Sequence, residues 1–125
     1  MDIMITLPKF LWGKIIRGEK SLELRKNMPR LFNVKIDRVF VCVKGTHKCY
    51  GYFRVSWFQY CRDDLNFIIA KQSRIQVPPE WIKKYLKGTI NAYLWHIKEV
   101  YPYSTPLDIT DIFKVKRAPQ SFCYV

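Results

Sequence analysis

The spacing of apolar and polar residues changes several times along the chain, and each change predicts a new secondary-structure element. Residues 3–7 ("IMITL") form a short apolar run that predicts a buried strand. Apolar residues then recur at helical spacing over residues 9–17, between a proline that suits a first helical turn and a glycine that suits the position after a helix. Residues 19–26 ("EKSLELRK") alternate with a period of two, which predicts a strand.

The middle of the chain predicts two neighbouring strands. Residues 36–44 ("IDRVFVCVK") are β-branched and apolar on both faces, as in the centre of a covered sheet. The turn "GTHK" connects them to a long strand over residues 49–60 ("CYGYFRVSWFQY"). Alternation places Tyr50 and Tyr52 on one face of that strand, and Gly51 between them predicts a bulge or the close approach of another backbone.

The second half of the chain mixes helical and strand patterns. Helices are predicted over residues 63–74 and 78–88, and residues 89–103 form a strongly aromatic strand. A helical turn around residues 109–113 and a terminal aromatic strand follow. This order of elements favours an α+β fold, a small barrel of mostly antiparallel strands with helices at its ends.

Length and composition limit the class of protein. The 125 residues predict one domain over residues 1–125, and an apolar fraction of 49% excludes a disordered chain. No apolar run approaches the ~20 residues of a membrane-spanning helix, and the first residues lack the pattern of a signal peptide. We therefore expect a cytoplasmic protein with no membrane partner.

The cysteines and the absent motifs narrow the chemistry further. Four cysteines are widely and irregularly spaced without a C-x-x-C pair, so we expect reduced thiols that pack as small hydrophobic side chains. The sequence also lacks the phosphate-loop, dinucleotide-binding, zinc-protease and serine-hydrolase motifs. We expect neither a metal nor a cofactor.

The charge balance points to a class of partner. Lysine and arginine number 22 against 10 acidic residues, which gives a net charge of +12. Such a field attracts polyanions, because each phosphate that is neutralised releases condensed counterions. The basic residues are spread through the predicted elements rather than gathered on one amphipathic helix, which favours nucleic acid or a nucleotide over a membrane surface.

The strand over residues 19–26 carries an unusual polar face. Its two leucines point one way, so Ser21, Glu23 and Arg25 share the opposite face. Lys20 falls on the leucine side of a regular strand, but at a helix–strand corner it can turn toward either face. Two interpretations remain open on pattern alone: an exposed strand with an ion pair, or the polar floor of a pocket.

The first part of the chain resembles the start of an ASCH domain, a branch of the PUA-like superfamily. That family carries a strand, a helix and then a G-x-K-[ST]-x-E-x-R segment. The segment is matched here by Gly18, Lys20, Ser21, Glu23 and Arg25. Residues 92–109 and 117–125 also resemble later parts of the family, so the resemblance covers nearly the whole chain.

The resemblance implies a PUA-like small β-barrel with flanking helices and a positively charged cleft beside the motif. Family members are thought to bind RNA or modified nucleosides, so RNA or a nucleotide-like ligand is the expected partner of a monomer or weak dimer. The candidate ligand-binding residues are Arg17, Lys20, Ser21, Glu23, Arg25, Lys26, Arg30, Tyr50 and Tyr52. The basic residues form a rim, Ser21 and Glu23 contact polar groups of a base, and the tyrosines offer a stacking surface.

The resemblance also leaves an enzyme open. Some members are acetylcytidine amidohydrolases and others cleave RNA, and Lys20 and Glu23 are the catalytic residues to expect if this chain is a hydrolase. Glu23 stands where the amidohydrolases carry their threonine nucleophile, and Asp63 or Asp64 is the candidate acidic partner. A protein-interaction module is the weaker alternative.

Overall fold

Six strands and five short helices make up the described part of the protein. The structure is a computed structural model, and it describes residues 1–29, 35–62 and 64–125. The strands are β1 (Ile3–Leu7), β2 (Leu22–Arg25), β3 (Val39–Val43), β4 (Lys48–Tyr60), β5 (Tyr93–Asp108) and β6 (Phe122–Tyr124). The helices are α1 (Lys9–Ile16), α2 (Leu65–Ala70), α3 (Gln72–Ile75), α4 (Pro79–Leu86) and α5 (Ile109–Phe113).

The strands form one mixed sheet in the order β2-β5-β4-β3-β1-β6. Only the β1–β3 pairing is parallel among these neighbours, and the other four pairings are antiparallel. The sheet curls into a half-barrel flanked by the helices, so the predicted α+β, mostly antiparallel architecture is confirmed. Among the described residues, no helix has the length and apolar character needed to cross a bilayer.

The predicted elements occur close to their expected places, with one division. Helix α1 begins after Pro8 and ends before Gly18, which adopts a φ of 77° that suits glycine. The helix predicted over residues 63–74 is two helices, because the backbone at Lys71 leaves the helical conformation between them. Arg30 and Asp63, both named from the sequence, lie outside the described residues.

One apolar cluster holds β2 in place at the edge of the sheet. Leu22 and Leu24 pack with residues of α2, α3 and α4, including Ile68. Trp95, which lies opposite Glu23 in the β2–β5 ladder, instead belongs to the cluster beneath β1 and β3. The leucines thus anchor the outer face of β2 on the helices, and Glu23 between them turns inward.

Gly51 is a point of close backbone contact, as the sequence predicts, and it reverses the alternation of β4. The β4–β5 register shifts between Cys49 and Gly51, and Tyr50 packs with the cluster that contains Trp95 while Tyr52 packs with the cluster on the other face. The predicted shared face of the two tyrosines is therefore wrong, because the bulge at Gly51 shifts the alternation between them.

Replacing Gly51 with alanine should destabilise the protein strongly. Gly51 has a φ of 146°, and a Cβ there would collide with the Tyr101 carbonyl oxygen and lie 2.9 Å from the Pro102 Cα. Strain and overpacking together predict a loss of about 2–4 kcal/mol in the free energy of unfolding, measured by denaturant titration. Gly88→Ala is the control: its φ is 78° but its Cβ meets nothing within 4 Å. Equal losses in both variants would contradict the steric account.

Candidate ligand-binding site

Three charged side chains are buried together along β2 and just before it. Lys20, Glu23 and Arg25 are only 2%, 5% and 8% exposed. The Lys20 Nζ lies 3.1 Å from one Glu23 carboxylate oxygen, and the Arg25 Nη2 lies 2.8 Å from the other. Buried charges are tolerated only when they are paired and hydrogen-bonded. The exposed-strand interpretation is therefore excluded, and we call these three residues the charged triad.

Lys20 leaves the leucine side of the strand and points into the protein. Its ammonium group donates to the backbone carbonyls of Leu22 and Ile75, each at 2.7 Å, in addition to its contact with Glu23. An ammonium group has three N–H bonds, so these contacts use all of them. Lys20 thus ties the corner after α1 to α3.

Arg25 joins β2 to the opposite side of the half-barrel. Its Nε donates to the Glu23 carboxylate at 2.9 Å, and its Nη1 donates to the Ser121 carbonyl at 3.1 Å. Its Nη2 also donates to the Thr6 carbonyl at 3.3 Å. One side chain therefore bridges β2 to β1 and to the segment that leads into β6.

The Glu23 carboxyl is held in its ionised form. Burial alone raises the pKa of a carboxyl, but the charges and hydrogen bonds of Lys20 and Arg25 outweigh burial, so the pKa of Glu23 lies below its ordinary value of 4.5. At neutral pH the triad carries two positive charges and one negative charge.

The triad lies at the bottom of a cavity of about 530 Å³. Lys44 lies at its border and is exposed, so the charged side chains of the lining sum to +2 (Lys20, Arg25 and Lys44 against Glu23). The remaining lining is mostly apolar: Leu7, Pro8, Leu11, Leu24, Ile75, Val77, Trp81, Tyr85, Ala118 and Pro119, with Thr6, Gly45 and Gln120. We call this cavity the triad pocket.

An aromatic pair from α4 forms one wall of the triad pocket. The rings of Trp81 and Tyr85 stack with centroids 4.9 Å apart and an interplanar angle of 12°. Trp81 keeps 48% of its surface exposed, which is unusual for a residue on the apolar side of an amphipathic helix. The amphipathic pattern of α4 predicts these residues as core, so the pattern alone does not reveal their place in the pocket.

Only part of the predicted ligand-binding set lies in the triad pocket. Lys20, Glu23 and Arg25 line it, whereas the Ser21 hydroxyl faces away and accepts a hydrogen bond of 2.9 Å from the Arg74 Nε. The Lys26 ammonium lies 4.6 Å from the ring centroid of Tyr85 without lining the pocket.

Three further predicted residues lie on other surfaces. Arg17 pairs with Glu19 at 2.9 Å, and it borders a separate groove together with Tyr50. Tyr52 stacks on Tyr101 with ring centroids 4.7 Å apart. Conversely, Lys44 and residues of α4 line the pocket although they are distant from the motif in sequence. No local sequence pattern predicted their place in the site.

Removing the negative charge of the triad should destabilise the fold. Glu23→Gln leaves Lys20 buried without its counter-charge, which predicts a loss of about 3–5 kcal/mol in unfolding free energy at neutral pH. Glu19→Gln removes an exposed partner of Arg17 and should change stability little. Chemical denaturation of both variants is the measurement, and a loss in Glu23→Gln no larger than in Glu19→Gln would contradict a buried, paired carboxylate.

The same pair of variants tests the pH dependence of the triad. The pKa of Glu23 is lowered in the folded state. Its contribution to the free energy of unfolding is therefore fully present above pH 4.5, the ordinary pKa, and is lost as the pH falls through the lowered pKa. The stability difference between wild type and Glu23→Gln should therefore shrink below pH 4.5. A difference that stays constant down to the acid transition would argue against this linkage.

Comparisons with known proteins bear on the fold. Neither protein-family models nor curated protein sequences match this chain. Crystal structures of the ASCH protein from Zymomonas mobilis are similar: the unmodified protein at 17% identity and a serine-to-alanine variant at 15%, each with a TM-score of 0.82. Both matches cover 99% of this chain and 87% of the other. A tyrosine-to-phenylalanine variant matches at 16% identity with the same TM-score, covering 99% of this chain and 89% of the other. At such identities the likeness establishes the fold alone, and this chain has the fold of ASCH domain proteins.

Proposed function

We propose that the protein binds RNA or a nucleotide-like ligand in the triad pocket. The observation that carries the proposal is the buried charged triad at the floor of a cavity of about 530 Å³, a size typical of small-molecule sites. An apolar cavity has no packing need for three charged side chains, and their desolvation is costly. A polar, anionic ligand makes use of them.

The lining suits the separate parts of a nucleotide. The exposed faces of Trp81 and Tyr85 offer a planar surface on which a base can stack. The net charge of +2 favours an anionic group such as phosphate, and Lys44 is exposed at the border to receive it. Among the described residues, the Arg25 Nη1 donates one hydrogen bond, to the Ser121 carbonyl, which leaves its second N–H for a ligand.

Hydrolysis of a modified nucleoside or of RNA has weaker support. Lys20 has all three N–H bonds committed, and the low pKa of Glu23 makes its carboxylate a poor proton acceptor. Both side chains are better suited to holding the pocket in shape than to proton transfer. Their catalytic role remains a prediction.

Single substitutions at the exposed edge of the pocket should weaken binding without unfolding the protein. Lys44→Ala and Trp81→Ala should each raise the Kd for a nucleoside monophosphate by roughly five- to tenfold, from a lost phosphate contact and a lost stacking surface respectively. Isothermal titration calorimetry at low salt measures both effects. Lys98→Ala is the control, because Lys98 is exposed and does not line the pocket. Unchanged affinity in both pocket variants would refute this assignment.

The hydrolase alternative has its own test. Wild-type protein is incubated with acetylated cytidine and with single-stranded RNA, and the products are separated by chromatography beside those of Lys20→Ala. We expect unaltered substrates in every reaction. Product that forms with the wild type and not with Lys20→Ala would replace binding with catalysis as the function of the pocket.

A further inference from the structure

A second groove lies on the other side of α1 from the triad pocket. It has a volume of about 460 Å³ and runs between α1 and the residues Tyr50, Pro102 and Tyr103 of strands β4 and β5. The two cavities have no lining residue in common. We call this second cavity the α1 groove, and its existence does not depend on what the triad pocket binds.

The charges of the α1 groove have one sign. Its lining includes Lys9, Lys14 and Arg17, which sum to +3, and no acidic residue lines it among those described. Lys14 donates to the neutral amide of Gln76 at 3.2 Å, and the nearby Glu19 carboxylate offsets only part of its charge. Arg17 pairs with Glu19, but both side chains are about half exposed, and such a pair is weak and screened by salt.

Apolar surface in the same groove is left open to solvent. Phe10 and Ile16 are 61% and 45% exposed, although α1 is only eight residues long and already buries Leu11, Trp12 and Ile15. The sequence pattern places Ile16 in the buried stripe, and the structure does not. Exposed aromatic rings interleaved with cations are the combination that single-stranded nucleic acids bind, since bases stack on the rings and phosphates meet the cations.

Gly13 leaves room for the side chain of Arg17 beside α1. A glycine inside a helix lowers the stability of that helix relative to alanine, so its presence here calls for a reason. A Cβ at this position would lie 3.1 Å from the Nη1 of Arg17. The missing side chain lets the guanidinium lie back across the helix, beside the other cations of the groove.

We propose that the α1 groove binds a single-stranded nucleic acid, with Lys9, Lys14 and Arg17 on its phosphates and Phe10 stacked on a base. The positive charges of the lining favour a polyanion as the ligand. The exposed ring of Phe10 favours a strand whose bases are unpaired. A duplex keeps its bases stacked on each other and cannot offer one to Phe10.

A double charge variant tests the phosphate contacts. Lys9→Gln with Arg17→Gln should weaken binding of a fluorescein-labelled oligouridine about tenfold at low salt, measured by fluorescence anisotropy. The plot of log K against log salt has a negative slope. Loss of two phosphate contacts should make that slope less steep by about 1.4. Lys98→Gln with Lys116→Gln removes the same net charge at exposed positions outside both cavities and is the matched control. Equal weakening in both double variants would overturn the groove as the binding surface.

A stacking variant tests the kind of nucleic acid. Phe10→Ala should weaken oligouridine binding roughly five- to tenfold and leave binding of a double-stranded RNA unchanged. Circular dichroism checks that the fold persists, which the exposure of Phe10 leads us to expect. A loss in the charge variant without any loss in Phe10→Ala would overturn the assignment to a single strand, because any polyanion would behave that way.

Titration with uridine monophosphate separates this proposal from the triad pocket. The groove variants should bind the mononucleotide as the wild type does, since none of their residues lines the triad pocket. If no mononucleotide binds to any variant, the oligouridine results still decide the α1 groove by themselves.

Discussion

The buried carboxylate of Glu23, held between Lys20 and Arg25, is the interaction on which the arrangement of the other elements depends. β2 is a four-residue edge strand whose ladder partner is β5. Its inner face is fixed by side chains: Lys20 reaches the Ile75 carbonyl of α3, and Arg25 reaches the carbonyls of Thr6 and Ser121. Without the carboxylate, two buried cations would lie together with carbonyl oxygens as their only partners among these contacts, at a cost in stability.

In the function that we propose, the same three residues connect stability with recognition. A buried ion network contributes little net stability compared with apolar packing of the same volume, so structural need alone is a weak reason for its presence. Its position at the floor of an otherwise apolar cavity supplies a better reason. The contacts fix the guanidinium of Arg25 in one orientation before any ligand arrives, which reduces the entropy cost of binding.

The local spacing of apolar and polar residues predicted the strands and helices and singled out the polar residues of β2. It did not predict which distant segments form the walls of the triad pocket. Period-two alternation predicted β2, and the family resemblance predicted that Lys20, Ser21, Glu23 and Arg25 share one site. The structure brings three of them together and turns Ser21 away toward Arg74. Alternation failed at Tyr50 and Tyr52, because the bulge at Gly51 inverts the faces of the strand. The walls of the pocket come from α4, Lys44 and residues 118–120. Tertiary packing brings these segments together, and the local sequence of each does not predict it.

We propose that a nucleotide binds in the triad pocket. Nuclear magnetic resonance follows this directly, through the side-chain N–H signals of Arg25 Nε and Trp81 Nε1 as a nucleoside monophosphate is added to isotope-labelled protein. If a nucleotide binds in the triad pocket, both signals should shift in proportion to occupancy, together with the backbone amide of Lys44 and with little change around Tyr52. Shifts confined to surfaces outside the pocket, or no shift at saturating nucleotide, would contradict it.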